Sequence, residues 1–459
     1  MKKLLTIMAL IASLAIAAVA SAQAPTTFST GFQVANLSTT DTATISMSFY
    51  ALENGTASVT ASDTIPAGGS KTYFPLDSGT VTLPAGFDGS AVISSDQPVA
   101  AIVNVLGDGF NFGSSYGSFS AGANSVSLPL IAKNQVGIYS TFVNVQNAGS
   151  ASTTATIAYA GVSGCSESKT IPAGAAARFD QSATSCLPDG HFGAATITTG
   201  NASDSIVATV IETSNNNTGL FAYNGFTSGS TDVAAPLVQF GNAGFQTGMQ
   251  VQNTGTSSTD VTVSFTPVPG SGTACTETIS IAGGASATFG LAAFNTEYGT
   301  SAGTENCAND STFVGSARVT ANSSSQPLVA IVNQTNFGNY ASAYNAFDPA
   351  SATTTLSMPL LMDGNAGFFT GFNLQNVGTN SASVNCTFSA GSGGQTIPAY
   401  NATIAAGAPV NELQLNKASA SGYVGSATCT STEPIIAVVN ELGNSTTADL
   451  LFTYEAFNQ

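Results

Sequence analysis

The sequence carries very little charge, and most of that charge is negative. Charged residues make up 7% of its 459 residues, with 8 Lys and Arg against 25 Asp and Glu. Nucleic acids are bound through patches of Lys and Arg, so this composition excludes a nucleic-acid partner. The sequence also has no Trp, the residue on which carbohydrate-binding sandwiches most often stack a sugar ring. Cell-surface or matrix components are therefore the expected partners.

The residue types that catalysis and metal binding need are equally scarce. A catalytic triad would have to use His191, the only histidine, which lies in a predicted turn. Acids such as Asp88, Asp189 and Glu433 stand alone in turns, where we expect them to be solvated, whereas glycoside hydrolysis needs two opposed carboxylates. The sequence has no C-x-x-C pair for zinc and no run of oxygen donors for calcium. We expect a protein that is not an enzyme and that holds no metal or cofactor.

The first 22 residues have the pattern of a secretory signal peptide. Lys2 and Lys3 are followed by a mostly apolar run from Leu4 to Ala18 and by the small residues Ala20-Ser21-Ala22. Cleavage after Ala22 would remove two of the eight basic residues and leave a net charge of 6 − 25 = −19. No later stretch has the ~18 unbroken apolar residues of a spanning helix. We expect a secreted, extracellular protein, free or associated with the cell surface, without a transmembrane segment in the mature chain.

A short motif recurs four times: a run of alternating apolar and polar residues, typical of a β-strand, that ends at an asparagine turn. The closing residues Asn36, Asn147, Asn253 and Asn376 lie 111, 106 and 123 residues apart. This period is the size of one small β-sandwich, and no long stretch with helical periodicity follows the signal. The sequence therefore predicts an all-β fold of four tandem immunoglobulin-like β-sandwich domains, arranged as a rod. We number them repeats 1 to 4, with predicted bounds 23–124, 125–231, 232–353 and 354–459.

Each repeat also contains one strongly apolar run followed by spaced aromatic residues. The run from Ile206 to Ile211 is an example, and Tyr223 and Phe226 follow it. A short run with little alternation predicts the central, most buried strand of a sheet. The aromatic residues are expected to pack in the core.

A segment with a Pro-Leu pair lies between neighbouring repeats, at Pro129-Leu130, Pro236-Leu237 and Pro359-Leu360. Proline cannot donate a ladder hydrogen bond, so each segment should be an edge strand. Three such strands serve four repeats, which leaves one terminal repeat without a copy. Two interpretations remain open. Terminal repeats are atypical, as in most arrays, or the open edge accepts a strand from another molecule and the protein self-assembles through its terminal sheet edges.

The cysteines follow the repeats. There are none in repeat 1 and two in each later repeat: Cys165 and Cys186, Cys275 and Cys307, Cys386 and Cys429. In an exported chain, an even number divided in this way predicts one disulfide within each of the three repeats.

The recurring motif resembles the opening of prokaryotic tandem Ig-like surface repeats, the CARDB-like, adhesion-related β-sandwich domains. It reads Val145-Gln146-Asn147-Ala148-Gly149 in repeat 2, and repeats 3 and 4 keep the Gln-Asn-x-Gly pattern at 252–255 and 375–378. Repeat 1 departs, with Val34-Ala35-Asn36-Leu37-Ser38. The resemblance implies an exported, repetitive and usually non-catalytic protein, with no shared catalytic residues.

The expected function is therefore structural, as a stalk, matrix or filament subunit. The alternative is an adhesin, or a carbohydrate- or protein-binding module, with a ligand site on its loops. The longest candidate loop runs from Ala292 to Asp310 in repeat 3.

Overall fold

The structure is a computed structural model that describes residues 27–459 except 75–78, 80, 110, 215–218, 291–311, 337–339, 392 and 445–447. The prediction of an all-β chain is confirmed, because the described residues form several antiparallel sheets and their only helical element is a 3₁₀ turn at Pro349–Ser351. The predicted signal peptide, residues 1–22, lies outside the described residues. In the described part of the chain we find no helix with the length and apolarity that a membrane span requires.

The described strands fall into four consecutive groups. Repeat 1 contains β1 (Phe28–Asn36), β2 (Ala43–Ala51), β3 (Ala57–Ile65), β4 (Ser70–Tyr73), β5 (Gly89–Ser95), β6 (Val99–Gly107) and β7 (Phe112–Gly117). Repeat 2 contains β8 (Ser125–Lys133), β9 (Tyr139–Asn147), β10 (Thr153–Tyr159), β11 (Ser166–Ile171), β12 (Ala176–Asp180), β13 (His191–Thr199), β14 (Ile206–Ser214) and β15 (Leu220–Asn224).

Repeats 3 and 4 continue the same order. Repeat 3 contains β16 (Asp232–Phe240), β17 (Phe245–Asn253), β18 (Thr259–Pro267), β19 (Cys275–Ile281), β20 (Ser286–Phe289), β21 (Phe313–Ala321), β22 (Leu328–Asn336) and β23 (Tyr340–Asn345). Repeat 4 contains β24 (Thr353–Asn365), β25 (Phe368–Asn376), β26 (Ala382–Phe388), β27 (Tyr400–Ile404), β28 (Pro409–Leu413), β29 (Tyr423–Gly443), β30 (Leu451–Glu455) and β31 (Phe457–Asn458).

Within repeats 1 to 3 the strands form two sheets each. The orders are β4-β1-β6-β7 and β3-β2-β5 in repeat 1, β12-β9-β14-β15 and β11-β10-β13-β8 in repeat 2, and β20-β17-β22-β23 and β16-β21-β18-β19 in repeat 3. In repeat 4 the long strand β29 joins both layers into one sheet of order β27-β26-β29-β24-β25-β28, with β30 and β31 attached. The most apolar runs, β6, β14 and β22, occupy inner positions, as their composition predicts.

Alternation along the strands places one set of side chains in the core. In β2 the residues Ala43, Ile45, Met47 and Phe49 are buried, whereas those between them are exposed or half-exposed. This period of two gives each sheet one apolar face, and the faces of the two sheets of a repeat meet in a shared cluster. Truncating a buried side chain such as Met47 to alanine typically costs about 2–5 kcal/mol.

The repeated asparagine performs the same task in all four repeats. The side-chain amide of Asn253 donates to the carbonyls of Ser257 (2.8 Å) and Ile281 (3.0 Å). Its oxygen accepts from the N–H of Gly255 at 3.0 Å. The corresponding three bonds are made by Asn36, Asn147 and Asn376. Because Ile281 ends a strand of the facing sheet, the asparagine ties the two sheets together at the turn.

Two of the three expected disulfides lie wholly within the described residues. Cys165–Cys186 and Cys386–Cys429 have Cα–Cα distances of 5.3 and 3.9 Å. Cys275 is also disulfide-bonded, while Cys307 lies outside the described residues. Closing loops of 21 and 43 residues stabilises the fold by about 3 and about 4 kcal/mol in the chain-entropy model.

Each Pro-Leu strand belongs to the repeat that follows it. β8 pairs with β13 in repeat 2, β16 with β21 in repeat 3, and β24 with β29 in repeat 4. β8 and β16 lie at sheet edges, as predicted, but the prediction is wrong for β24, which lies between β29 and β25. In repeat 1, β5 pairs only with β2 among the described strands, so the second sheet of this repeat has three strands. Among the described strands, repeat 1 is therefore the repeat without a copy.

The expectation of a rod is wrong. Strands β7, β15, β23 and β30 from the four repeats pack against one another at a common centre. Repeat 1 contacts repeat 4 directly, since Gln33 Nε2 donates to the carbonyl of Pro359 at 2.9 Å. Val438 of repeat 4 lies within the core cluster of repeat 3. The physical reason is that a run such as Ile206–Ile211 is apolar on both faces and buried throughout. In a rod, the second apolar face of this strand would be exposed to solvent.

Candidate functional site

The chemically distinctive residues lie where the four repeats meet, at one equivalent position in the apolar strand of each repeat. The repeated motif begins at a threonine in each repeat: Thr30, Thr141, Thr247 and Thr370. The residues that lie opposite these threonines in the ladder are Val105, Glu212, Gln334 and Glu441, respectively. Glu212 accepts a hydrogen bond from Nδ2 of Asn333 at 2.9 Å, which links repeats 2 and 3. At this position Glu212 therefore contacts the neighbouring repeat, whereas Gln334 also accepts a bond from Gln239 of its own repeat at 3.2 Å.

The pairing continues around the molecule. Gln334 and Asn440 exchange two hydrogen bonds of 3.1 and 3.0 Å, which link repeats 3 and 4. Glu441 accepts from the side chain of Asn104, which links repeat 4 back to repeat 1. We call the six residues of these three pairs the central cluster: Asn104, Glu212, Asn333, Gln334, Asn440 and Glu441. Between repeats 1 and 2 the pair is apolar, because Val105 and Ile211 share a hydrophobic cluster.

Burial raises the pKa of the two carboxyl groups in the central cluster. Glu212 is 4% exposed and Glu441 is 1% exposed. Desolvation raises the pKa of Glu212 to about 7 and that of Glu441 to about 8, against the opposing effect of one asparagine hydrogen bond each. Oδ1 of Asn333 has no hydrogen-bond partner among the described residues. A protonated Glu212 can donate to that oxygen, which would reproduce the reciprocal pair of Gln334 and Asn440.

A single aspartate in repeat 4, through its carboxylate and its backbone N–H, contacts the other three repeats. Asp449 accepts from the backbone N–H of Leu220 at 3.1 Å and of Ala341 at 2.8 Å, which belong to repeats 2 and 3. Its own N–H donates to the carbonyl of Asn111 in repeat 1 at 2.7 Å. Burial raises the pKa of Asp449 well above its usual value, and the backbone donors oppose this. Asp449 thus joins all four repeats at one end of the central strands.

The opposite end of these strands carries a second polar layer. Asn224 donates from Nδ2 to the carbonyl of Gly117 at 2.7 Å, and its N–H donates to Oδ1 of Asn345 at 2.9 Å. Asn345 returns a bond from Nδ2 to the carbonyl of Asn224 at 2.6 Å, and its N–H donates to Glu455. Burial raises the pKa of Glu455 to about 7. These four residues hold equivalent positions after the central aromatic residue of repeats 1 to 4.

These polar residues form the hydrogen bonds of an interface between repeats. The polar groups named above are directed at other repeats, and their partners are backbone groups or neutral amides. Among the described residues, no three His, Cys, Asp or Glu side chains come together as a metal site would require. An open cleft between repeats 3 and 4 is lined by Gln239, Phe372 and Glu412, and this glutamate is paired with Lys417 at 2.7 Å.

The acids and the histidine singled out by the sequence do not come together. His191 begins β13, half-buried, with its ring edge-on to Tyr159 at 6.1 Å, and burial lowers the pKa of His191. Asp88 pairs with Arg178 at 2.9 Å on the surface. Asp189 and Glu433 lie in other parts of repeats 2 and 4, and the candidate loop from Ala292 to Asp310 lies outside the described residues.

Five acids with exposures of 5% or less contradict the expectation that acids are solvated surface groups: Glu212, Glu277, Asp363, Glu441 and Asp449. Of these, Glu212, Glu441 and Asp449 are buried between repeats. Their desolvation is offset by amide and backbone donors from neighbouring repeats, which a single-repeat view does not include. The sequence did hold a signal, since each of these three acids lies next to apolar residues and has no Gly or Pro beside it.

These features define an all-β protein whose antiparallel sheets enclose a buried polar centre. No protein-family model matches the chain, and no curated protein matches it. Among solved structures, the crystal structure of Thermotoga maritima 1070 is similar to 24% of this chain, which corresponds to 96% of that chain. The identity is 14% and the TM-score is 0.20, so this similarity carries no argument about function.

Proposed function

We propose that the protein is an exported, non-catalytic structural subunit of a cell surface or matrix. Its four repeats are immunoglobulin-like β-sandwich domains of the CARDB-like kind, and they act as one preassembled block. The observation that carries the proposal is the closed arrangement around Asp449, which hydrogen-bonds three other repeats. Polar groups that an enzyme would direct into a cleft join the repeats to each other.

Export is supported by the disulfides and by the surface chemistry. The bonds Cys165–Cys186 and Cys386–Cys429 belong to oxidising compartments, where disulfides persist. They crosslink repeats 2 and 4 internally, which resists local unfolding outside the cell. The low content of charged residues, 7%, leaves a surface of Ser, Thr, Asn and Gly that suits non-covalent contacts with cell-surface or matrix components.

Small-angle scattering and electron microscopy of the chain from Gln23 to Gln459 test the proposal. A compact chain of this length has a radius of gyration of about 22 Å, and a rod of four domains would have roughly twice that value. We expect the compact value and a particle with its lobes around a common centre. A rod-shaped particle would contradict the block, and turnover of a substrate by the purified protein would contradict the non-catalytic role.

A further inference from the structure

The three Pro-Leu strands are bound in a way that depends on one tyrosine per repeat. In repeat 2 the ladder between β8 and β13 skips between Gly193 and Ala195, so the Pro129-Leu130 pair bulges out of it. The hydroxyl of Tyr223 then accepts from the N–H of Leu130 at 3.2 Å and donates to the carbonyl of Leu130 at 2.5 Å. The tyrosine therefore binds the backbone that the bulge leaves unpaired.

The same pair of hydrogen bonds recurs in the next two repeats. Tyr344 binds the backbone of Leu237, and Tyr454 binds that of Leu360, with bonds of 3.2 Å from the N–H and 2.5 and 2.6 Å to the carbonyl. Tyr116 holds the equivalent position in β7 of repeat 1. Its hydroxyl makes no hydrogen bond to the described residues, although the side chain is half-buried. The binding group is thus present in repeat 1, and the strand it would bind is not among the described strands.

The sheet edge beside this tyrosine is also uncovered. Ala91 of β5 lies opposite Phe49, just as Ala195 of β13 lies opposite Tyr159. Ala195 is buried at 1% exposure beneath β8, whereas Ala91 is exposed. Ile93, two residues further along β5, is half-buried. Core-facing side chains of repeat 1 therefore lack the cover that a fourth strand gives in the other repeats.

The neighbouring repeat forms the opposite wall. In repeat 3, Gln250 and Gln252 of β17 are buried at 3% and 0% exposure, and strand β17 contacts β8 of repeat 2. The equivalent residues of repeat 2, Asn144 and Gln146, are half-buried. Gln146 donates from Nε2 to the carbonyl of Ala91 at 3.3 Å. The amide of Gln146 thus takes the place that a backbone N–H of a fourth strand would take beside β5. We call this region the acceptor groove: the edge of β5, Tyr116, Asn144 and Gln146.

We propose that the acceptor groove binds an extended strand donated by a different polypeptide, with alternating apolar residues around a Pro-Leu pair. The three filled copies define this chemistry, because Val126, Leu128 and Ile131 of β8 are fully buried and Leu130 is bound through its backbone. The strand runs antiparallel to β5, and its ladder bonds supply affinity while the apolar pockets supply specificity. The chain's own described Pro-Leu strands are each engaged in their own sheets, which favours a separate donor. This site goes beyond the structural role, since it names how the block is joined to a partner.

A fluorescently labelled peptide with the sequence of Ser125–Lys133 is the probe, titrated with the chain from Gln23 to Gln459 and followed by anisotropy. We expect saturable one-to-one binding, and protection of the β5 amides from hydrogen exchange. Tyr116→Phe removes both backbone hydrogen bonds and should weaken binding about tenfold. Tyr223→Phe is the matched control, because that hydroxyl is already bonded to Leu130, and it should leave the peptide affinity unchanged.

Several outcomes would overturn the proposal. One is no saturable binding, or equal binding of a scrambled peptide of the same composition. Another is an equal loss of affinity in Tyr116→Phe and Tyr223→Phe, which would show a general effect on folding. Dimers that protect β5 and exclude the peptide would identify a second copy as the occupant. If the chain from Met1 excludes a peptide that the chain from Gln23 binds, the occupant is the chain's own leader and not a separate donor.

Discussion

The replacement Glu212→Gln tests whether the centre of the molecule is held by neutral hydrogen bonds. The design comes from the chain itself, because Gln334 occupies the equivalent position in repeat 3 and pairs reciprocally with Asn440. Glutamine matches glutamate in size and can donate to Oδ1 of Asn333, which has no partner among the described residues. The change therefore removes only the ionisation.

The magnitude follows from the pKa. Burial raises the pKa of Glu212 from 4.5 to about 7, so the native state binds more protons than the unfolded state between these pH values. The free energy of unfolding must then fall as the pH rises through that window. The full effect of this rise is about 3 kcal/mol at alkaline pH. Glu441 and Glu455, with pKa values raised to about 8 and about 7, add to the same trend.

Urea unfolding at constant ionic strength, between pH 5 and pH 9, measures the effect. The parent protein should lose stability across this range, which is opposite to the usual behaviour of surface carboxylates. Glu212→Gln should match the parent near pH 5 and exceed it by about 1–3 kcal/mol at pH 9. Glu433→Gln is the control, since a hydrogen bond from Asn380 lowers the pKa of Glu433, and this variant should gain nothing at high pH.

One result would refute this account of the centre. If Glu212→Gln destabilises the protein equally at pH 5 and pH 9, the carboxylate is ionised and favourably bound at both. The interface would then be held by charge and not by neutral amide pairs. A parent protein whose stability rises from pH 5 to pH 9 would lead to the same conclusion for the whole central cluster.

Three further changes test other parts of the fold. Asn253→Ala removes three hydrogen bonds and leaves buried carbonyls unsatisfied, so the unfolding free energy should drop by about 2–3 kcal/mol; an unchanged denaturation midpoint would contradict this role. Tyr344→Phe loses both bonds to Leu237 and should cost about 1–2 kcal/mol by the same assay, with no loss expected if β16 is held by its ladder alone. Serine at both Cys386 and Cys429 should lower the thermal midpoint by the equivalent of about 4 kcal/mol, and a midpoint equal to that of the parent would show that the crosslink adds no stability.

Local features of this fold could be predicted from the sequence because their causes are local. The asparagine that closes each motif bonds a residue two positions ahead, as Asn147 does with Gly149 at 2.9 Å. The alternation of apolar and polar residues in β2 is visible in the sequence and matches the burial of Ala43, Ile45, Met47 and Phe49. The proline of the Pro-Leu segments indicated edge strands, and β8 is one. Each inference needed only the properties of neighbouring residues.

The arrangement of the repeats could not be predicted in the same way. It depends on pairs such as Glu212 with Asn333, which are 121 residues apart, and on the unequal composition of equivalent positions. Read alone, Glu212 is an isolated acid, and only its partner explains how its burial is tolerated. The apolar run around it predicts a strand buried within one sandwich, whereas its second face packs against another repeat. The apolar pattern of a strand shows that both of its faces are buried, but it does not show which surface packs against each face.

The junction between repeats 1 and 2 departs from the other junctions in two further ways, and both add apolar contact beside the sheet of repeat 1 that has only three described strands. Its pair at the centre is apolar, Val105 with Ile211, so this junction has no buried acid that needs a partner. Phe142 occupies a position that is glycine in the motif of the other three repeats. Its ring centroid lies 5.6 Å from that of Phe28. Added apolar contact recovers part of the burial that a Pro-Leu strand gives elsewhere. Repeat 1 can therefore stay docked while its edge is open, which is the condition an acceptor of another protein's strand must meet.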